Sequence, residues 1–318
     1  MAELVSEPTF VPKRKKKSVW KRMMEQKMLL AMIIPIVVWI VIFAYIPLTG
    51  WLMAFQNFQV QNGMFDQEWV GMTHFVNVWN SPFFQDALRN TIAMGLLGLI
   101  FNFLAAITFA ILINELRFNR FKKVVQTISY LPHFVSWVIV GNLVITMLSP
   151  GDGAINNLLM WLGFIDAPIN FMAETNMFWG IVTSADVWKS MGWGAIIYLA
   201  AMAGIDPGLY EAAEMDGANR WERIKHITLP GIRPTIMVLL IMSVGNLINI
   251  GFERQMILAG PMVMNHARVI EWYALQFGIG MFRFSYGTAV GIFRSVVSII
   301  LLFLANTVAK KMGEGRIM

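Results

Sequence analysis

The chain has 318 residues, of which 57% are hydrophobic and 14% charged, against about 25% charged residues in an ordinary soluble domain. That much apolar surface needs lipid, and the absence of cysteine excludes a disulfide framework, a thiolate metal site and a cysteine nucleophile together. The net charge of +6 would suit nucleic acid, but the bases flank apolar blocks instead of interleaving with aromatics, so no nucleic-acid partner is expected.

The first 27 residues form a basic tail carrying Lys13, Arg14, Lys15, Lys16, Lys17, Lys21, Arg22 and Lys27. The apolar block at 28–48 exceeds the core of a signal peptide, and no small-x-small site precedes a soluble domain. It is read as a retained first membrane helix, with the tail setting orientation and touching anionic lipid. The connection 49–89 is rich in aromatics and Asn, including Trp51, Trp69, Trp79 and Phe84. Such a segment serves as an interfacial aromatic belt, as a docking surface for an external partner, or as both.

Five further apolar blocks follow at 90–112, 127–148, 176–203, 236–258 and 284–309. With the first they make six runs of about 20 residues, the length that crosses some 30 Å of hydrocarbon. The expected fold is an all-α integral membrane protein with six transmembrane helices. Pro35, Pro47 and Pro132 are candidate kinks. The fourth block holds Asp186 and Lys189, each costing a few kcal/mol at a helix centre, so that face must meet protein or water. Being three apart, they are read as able to neutralise each other. Glu253 and Arg254 are placed at the outer end of the fifth helix, in water or paired with a neighbouring subunit, and Arg294 is offered an acid of that subunit. With the amino end inside, the inner segments hold eight, four, four and three bases, while the outer ones hold only Arg89, Arg268 and Arg283. Both termini are therefore expected to be cytoplasmic. The domains are a tail 1–27, a transmembrane domain 28–310 containing a cytoplasmic loop 204–235, and a second tail 311–318.

The loop 204–235 carries the most information. Asp206 can cap a helix that begins at Pro207, Leu209-Tyr-Glu-Ala-Ala213 favours helix, and Gly217 can supply the positive φ that ends it. A second helix is expected from Asn219 toward Thr228, stopped by Pro230. Ala212 and Ala213 allow close approach by another surface, and Glu211 and Asp216 set acceptors beside them. The pattern fits a helix that seats in a groove of a cytoplasmic partner, or an ordinary interfacial helix.

Glu211-Ala-Ala-x-x-Asp-Gly-Ala218, followed by Ile227-Thr-Leu-Pro230, resembles the EAA loop of permease subunits from binding-protein-dependent ABC importers. Trp69-Val-Gly-Met72, Asn90-Thr91, Tyr130-Leu-Pro-His-Phe-Val-Ser136, Gly287-Thr-Ala-Val-Gly291 and Leu304-Ala-Asn-Thr-Val-Ala-Lys-Lys311 are similar to its carbohydrate branch, the maltose and oligosaccharide permeases. The resemblance implies a type I importer permease fold and a heterodimer with a second related permease. It also implies two cytoplasmic ATPases, an extracytoplasmic solute-binding protein and an oligosaccharide substrate. Glu211, Ala212, Ala213, Asp216, Gly217 and Ala218 would then dock the ATPase. ATP and Mg would be held by that partner and no cofactor by this chain, which has no phosphate-binding Gly-rich loop with Lys-Ser/Thr.

Relatives that bind sugar within the membrane place polar groups on the two helices flanking this loop. Here Asp186, Ser190 and Trp193 stand at i, i+4 and i+7 of the fourth block, on one face, while Ser243, Asn246 and Asn249 drift slowly around the fifth. A purely structural alternative is that such polar groups only hold helices together. Lys189, Arg254 and Arg294 leave room for a cavity that favours anionic sugars. An ion-coupled secondary transporter would show inverted repeats with broken helices, and an intramembrane glycan or lipid transferase would need clustered acids, histidines or a metal motif. Neither pattern is present, so the chain is expected not to be an enzyme.

Overall fold

The computed structural model describes residues 24–311, so the Lys13–Lys17 cluster and nearly all of the tail 311–318 lie outside the described residues. Helices account for the fold. The extended backbone among the described residues makes one isolated antiparallel bridge, Gln56 to Trp69. The residues fall into two units, one ending at Leu52 and one beginning at Met53.

In the first unit, α1 (Lys27–Ile40) runs through Pro35 and continues into a π turn, Val41–Tyr45. A 3-10 stretch containing Pro47 extends to Phe55. Apolar side chains cover every side of α1 and none is buried, the composition of a helix whose solvent is hydrocarbon.

The second unit begins with a connection, running to Met72, that folds on itself. Gln67, almost fully buried, accepts from the Gln59 N–H at 2.9 Å and donates to the carbonyls of Gln59, Asn62 and Gly63. The helices α2 (Thr73–Trp79) and α3 (Pro82–Asn114) follow. The expected third span is two helices, α4 (Asn119–Phe134) and α5 (Trp137–Leu148), bent by 101°. Pro132 lies in the last turn of α4, Val135 is extended, and Ser136 caps α5 by accepting from the Ile139 N–H. The short α6 (Ala154–Trp161) precedes α7 (Phe178–Ala203).

The loop expected at 204–235 is α8 (Pro207–Met215) and α9 (Arg220–Arg223). Pro230 does not stop the second helix. A π turn at Ile224–Thr228 leads without interruption into α10 (Leu229–Gly245), giving one helix Arg220–Gly245. The wide turn removes the carbonyl contact that a proline ring would otherwise meet. The fifth block is also not one span, because α10 ends at Gly245 and the chain turns through Gly251, φ +74°, into α11 (Glu253–Leu258). Two short helices, α12 (Met264–Ala267) and α13 (Ile270–Ala274), lead to the final α14 (Phe284–Lys311).

Four helices are long and apolar enough to cross a membrane, Lys27–Phe55, Pro82–Asn114, Arg220–Gly245 and Phe284–Lys311, and the bent pair α4–α5 makes a fifth if it is one span. The 26-residue α7 is long enough but too polar to join them. It packs instead inside the bundle, where Ala195, Tyr198 and Met202 meet Ala106 and Ala110 of α3 and Ile232 of α10. Hydrophobicity cannot drive such contacts in lipid, so close approach of small residues does. A Cβ on Gly194 would lie 3.1 Å from that of Ala106, and one on Gly192 would overlap the Ser129 carbonyl of α4.

Candidate functional site

The segment between α7 and α10 is built by local capping. Asp206 accepts from the Gly208 N–H at 2.9 Å, and α8 closes in a Schellman motif: Gly217, φ +79°, donates to Glu214 at 3.1 Å and Ala218 to Ala213 at 2.9 Å. The next helix opens on a capping box, with Asn219 and Glu222 exchanging bonds of 2.7 and 3.1 Å. Arg223 reaches Glu214 at 3.4 Å, and the Tyr210 hydroxyl bonds that of Thr228 at 3.0 Å. The two short helices are thus held as a unit. Glu211, Ala212, Asp216 and Gly217 are exposed, whereas Ala213 and Ala218 are half-buried in the turn they stabilise. Met215 and Trp221 stand out at 88% and 79% exposure. Sequence reasoning passed over both, although apolar residues in an otherwise polar loop were a usable signal.

Polar groups of α3, α7 and α11 converge on one cluster. Asp186 of α7 forms an ion pair with Arg254 of α11 and accepts from the Asn102 amide of α3 at 2.9 Å. Both ionised side chains are largely buried, at 13% and 14% exposure. Gly251 makes this possible, since the turn it permits aims Arg254 inward. Arg254 accordingly pairs within its own chain, and Arg294 does the same with Glu271 at 2.6 Å. Lys189 is not the partner of Asp186. It donates to the carbonyls of Pro132 and His133 at 3.2 and 2.6 Å, closing the last turn of α4 beside the bend, and lies 5.7 Å from the Trp137 ring centre. The Arg254 guanidinium lies 5.8 Å from that same ring.

The cluster borders a cavity of about 360 Å³. Asp186, Ser243 and Asn246 line it, together with Asn102, Tyr198 and Arg254. Ser190 and Trp193 do not. Ser190 is half-buried, and Trp193 stacks on His133 at 4.6 Å with an interplanar angle of 2°. Asn249 leaves the cavity as well, donating to Ser298 of α14 at 3.1 Å. The face shared by Asp186, Ser190 and Trp193 on α7 is thus divided, and the drift along the fifth block separates Asn249 from Ser243. Two larger cavities of about 690 Å³ flank Gly180, Ser184 and Trp188 of α7, but their walls are almost wholly apolar and no polar groups converge there. Among the described residues no group of His, Asp and Glu is arranged to hold a metal ion.

Beyond the cluster, Asn90 and Thr91 anchor the segment after α11. The Asn90 amide donates to the carbonyls of Asn265 and Arg268 at 2.8 and 2.9 Å, and the Thr91 hydroxyl accepts from the Ile270 N–H at 2.9 Å. Ser285 of α14 likewise holds the connection before α2, donating to the Gln56 carbonyl at 2.7 Å.

Residues 102–314 match the family described as binding-protein-dependent transport system inner membrane component. The chain is 41% identical over 302 residues, 95% of it and 94% of the relative, to a polygalacturonan/rhamnogalacturonan transport system permease protein of Bacillus subtilis (strain 168). Among solved structures it is similar to a bacterial ABC transporter involved in the import of the acidic polysaccharide alginate, at 40% identity and TM-score 0.84, covering 92% of this chain and 98% of that one. It is also similar to a bacterial alginate ABC transporter in complex with a periplasmic protein bound to an alginate pentasaccharide, at 39% identity and TM-score 0.86, covering 94% and 99%.

Proposed function

Because the chain belongs to the family of binding-protein-dependent transport system inner membrane components, a family of membrane permeases and not of enzymes, we propose that it is a channel-forming subunit of an ATP-driven importer for an acidic oligosaccharide. The observation that carries this reading is the Asp186–Arg254–Asn102 cluster on a cavity inside otherwise apolar helices. Buried ionised groups of this kind are costly in a membrane and are kept where a polar solute passes. Asp186, Ser243, Asn246 and Asn102 offer hydroxyl-binding groups that replace the water such a solute loses. Relatives whose names carry polygalacturonan, rhamnogalacturonan and alginate support the acidic substrate class.

In this reading the chain crosses the membrane six times, with α7 as one crossing and both termini in the cytoplasm, as the concentration of bases in the inner segments favours. It pairs with a second related permease, and two cytoplasmic ATPases bind ATP and Mg. An extracytoplasmic binding protein delivers the sugar. The exposed helix α8 is the docking element, through Glu211, Ala212, Ala213, Asp216, Gly217 and Ala218, with Met215 and Trp221 adding apolar contact. ATP binding acts by favouring one of two cavity orientations. Shifting such an equilibrium from 1:99 to 99:1 needs about 5.5 kcal/mol of differential affinity, so a well-seated helix pair is required.

The test is purification of the tagged chain from native membranes in mild detergent, beside Glu211→Arg, with mass spectrometry of the accompanying proteins. The expected result is a second permease and an ATPase with the wild type, and loss of the ATPase alone with the variant. A wild type that brings down no ATPase would overturn the importer reading in favour of an ion-coupled transporter.

A further inference from the structure

Arg254 does two things that a purely structural pair does not require. It borders the cavity of about 360 Å³ and also a second one of about 200 Å³, lined by Trp137, Gly251, Phe252, Glu253 and Glu271. Its Nε is also buried without a hydrogen-bond partner, so the guanidinium, which carries five donors, is not saturated by Asp186. Asp186 is differently placed. If its guanidinium partner is taken, it still accepts from Asn102 at 2.9 Å and keeps lone pairs for sugar hydroxyls.

We propose that the Arg254 guanidinium is the group that selects for a carboxylate on the transported sugar, the incoming carboxylate replacing Asp186 as its partner. The assignment rests on the acidic-oligosaccharide reading above and adds the residue that enforces it. A bare buried guanidinium is heavily penalised, and so is a bare carboxylate, so the pair opens only when a second anion takes Arg254 while Asp186 falls back on Asn102 and the sugar hydroxyls. A uronate does this in a planar, bidentate manner that suits Arg better than Lys. A neutral sugar of the same shape cannot, and it meets a closed ion pair. Trp137, 5.8 Å from the guanidinium, keeps Arg254 in place during the exchange. Other charges face the group: Glu253 and Glu271 line the second cavity, Glu271 is already paired with Arg294, and Lys189 is committed to the α4 carbonyls. Neither acid belongs to the cavity that holds Asp186, so the exchange takes place at Asp186.

The experiment compares two probes, an oligogalacturonate and its fully methyl-esterified counterpart, which share a sugar skeleton and differ in charge. Binding is measured by equilibrium dialysis on the assembled importer in nanodiscs without the binding protein, whose own selectivity then does not enter. The wild type is expected to favour the acid. Arg254→Gln should lose about 10- to 100-fold in acid affinity, the scale of one charge-assisted bidentate bond, with the ester affected less than about twofold. Arg254→Lys should recover part of the preference. Asp186→Asn, which weakens the competing partner, should keep the preference or raise it. An Arg254→Gln importer that keeps the acid preference, or loses acid and ester alike, overturns the assignment of Arg254 alone. A wild type that binds neither probe, or both equally, overturns the acidic-oligosaccharide reading and the assignment together.

Discussion

Asn90 offers a sharp test of how the segment between α11 and α13 is held. Its side chain is fully buried, and its amide bridges the Asn265 and Arg268 carbonyls from α3. In Asn90→Leu the Asn265 carbonyl retains Arg89 as a donor at 3.2 Å, so it loses one bond of about 1 kcal/mol. The Arg268 carbonyl loses its side-chain donor in a buried setting, costing about 1–3 kcal/mol. The sum is about 2–4 kcal/mol, which corresponds to a fall in Tm on the order of 5–10 °C. Asn90→Asp is the more telling variant, because it keeps the shape while turning a carboxylate oxygen toward two carbonyls, and at pH 7.5 it should melt no higher than Asn90→Leu. Thermal stability followed by size exclusion in detergent reads both. A wild-type-like Tm for Asn90→Asp would show that the bridge contributes nothing and refute the reasoning.

Further outcomes follow from close packing, backbone conformation and charge. Gly192→Ala drives a methyl group into the Ser129 carbonyl and should cost about 1–3 kcal/mol in Tm assays, whereas Gly180→Ala on the same helix, with nothing within 4 Å, should be neutral; equal effects would sink the argument. Gly217→Val forces a β-branched residue to φ +79°, a strain of about 1–3 kcal/mol confined to the α8–α9 turn, so ATPase copurification should fall while the membrane helices melt unchanged. His266 has its pKa pushed down by burial and then by Arg89, with Asp86 pulling the other way. The folded chain then binds fewer protons than the unfolded one at mildly acidic pH, so stability from this source is complete above about pH 6.5 and declines below it. The Tm should drop between pH 7.5 and 5.5 less steeply in His266→Gln than in wild type, and parallel curves would exclude His266 as the cause.

Much of this molecule was legible because apolar blocks and caps are local signals. The limits of α7 and α14, the cap at Asp206 and the turn at Gly217 were accessible from spacing and residue type, whereas α3 begins at Pro82, eight residues before its apolar block, because its first turns are polar. The breaks were legible only in part: Pro132 was a candidate kink and a 101° bend follows it, but the polar residues Asn246, Asn249, Glu253 and Arg254 were read as lying on one span when the chain turns at Gly251 between α10 and α11. Charge partners were missed for a related reason. Asp186 and Lys189 are neighbours in sequence, but the turn at Gly251 brings Arg254 closer than one helical turn brings Lys189. Asn102 escaped notice altogether, although an amide in the middle of the apolar residues of 90–112 is the kind of group that finds a buried partner.

The unbroken helix Arg220–Gly245 has a mechanical consequence. Its 26 residues make a rod of about 39 Å, with the Arg223–Glu214 clamp at one end and Asn246, on the cavity wall, immediately beyond the other. Pivoted at the Arg220 end, such a rod shifts its far tip by about 0.7 Å for each degree of tilt, a figure that follows from its length alone. Three or four degrees suffice to carry a hydrogen-bonding group out of reach of its partner. A continuous helix of this kind needs no chain of intermediate contacts to link its two ends: a small tilt about the Arg220 end would be enough to move Asn246 at the wall of the cavity.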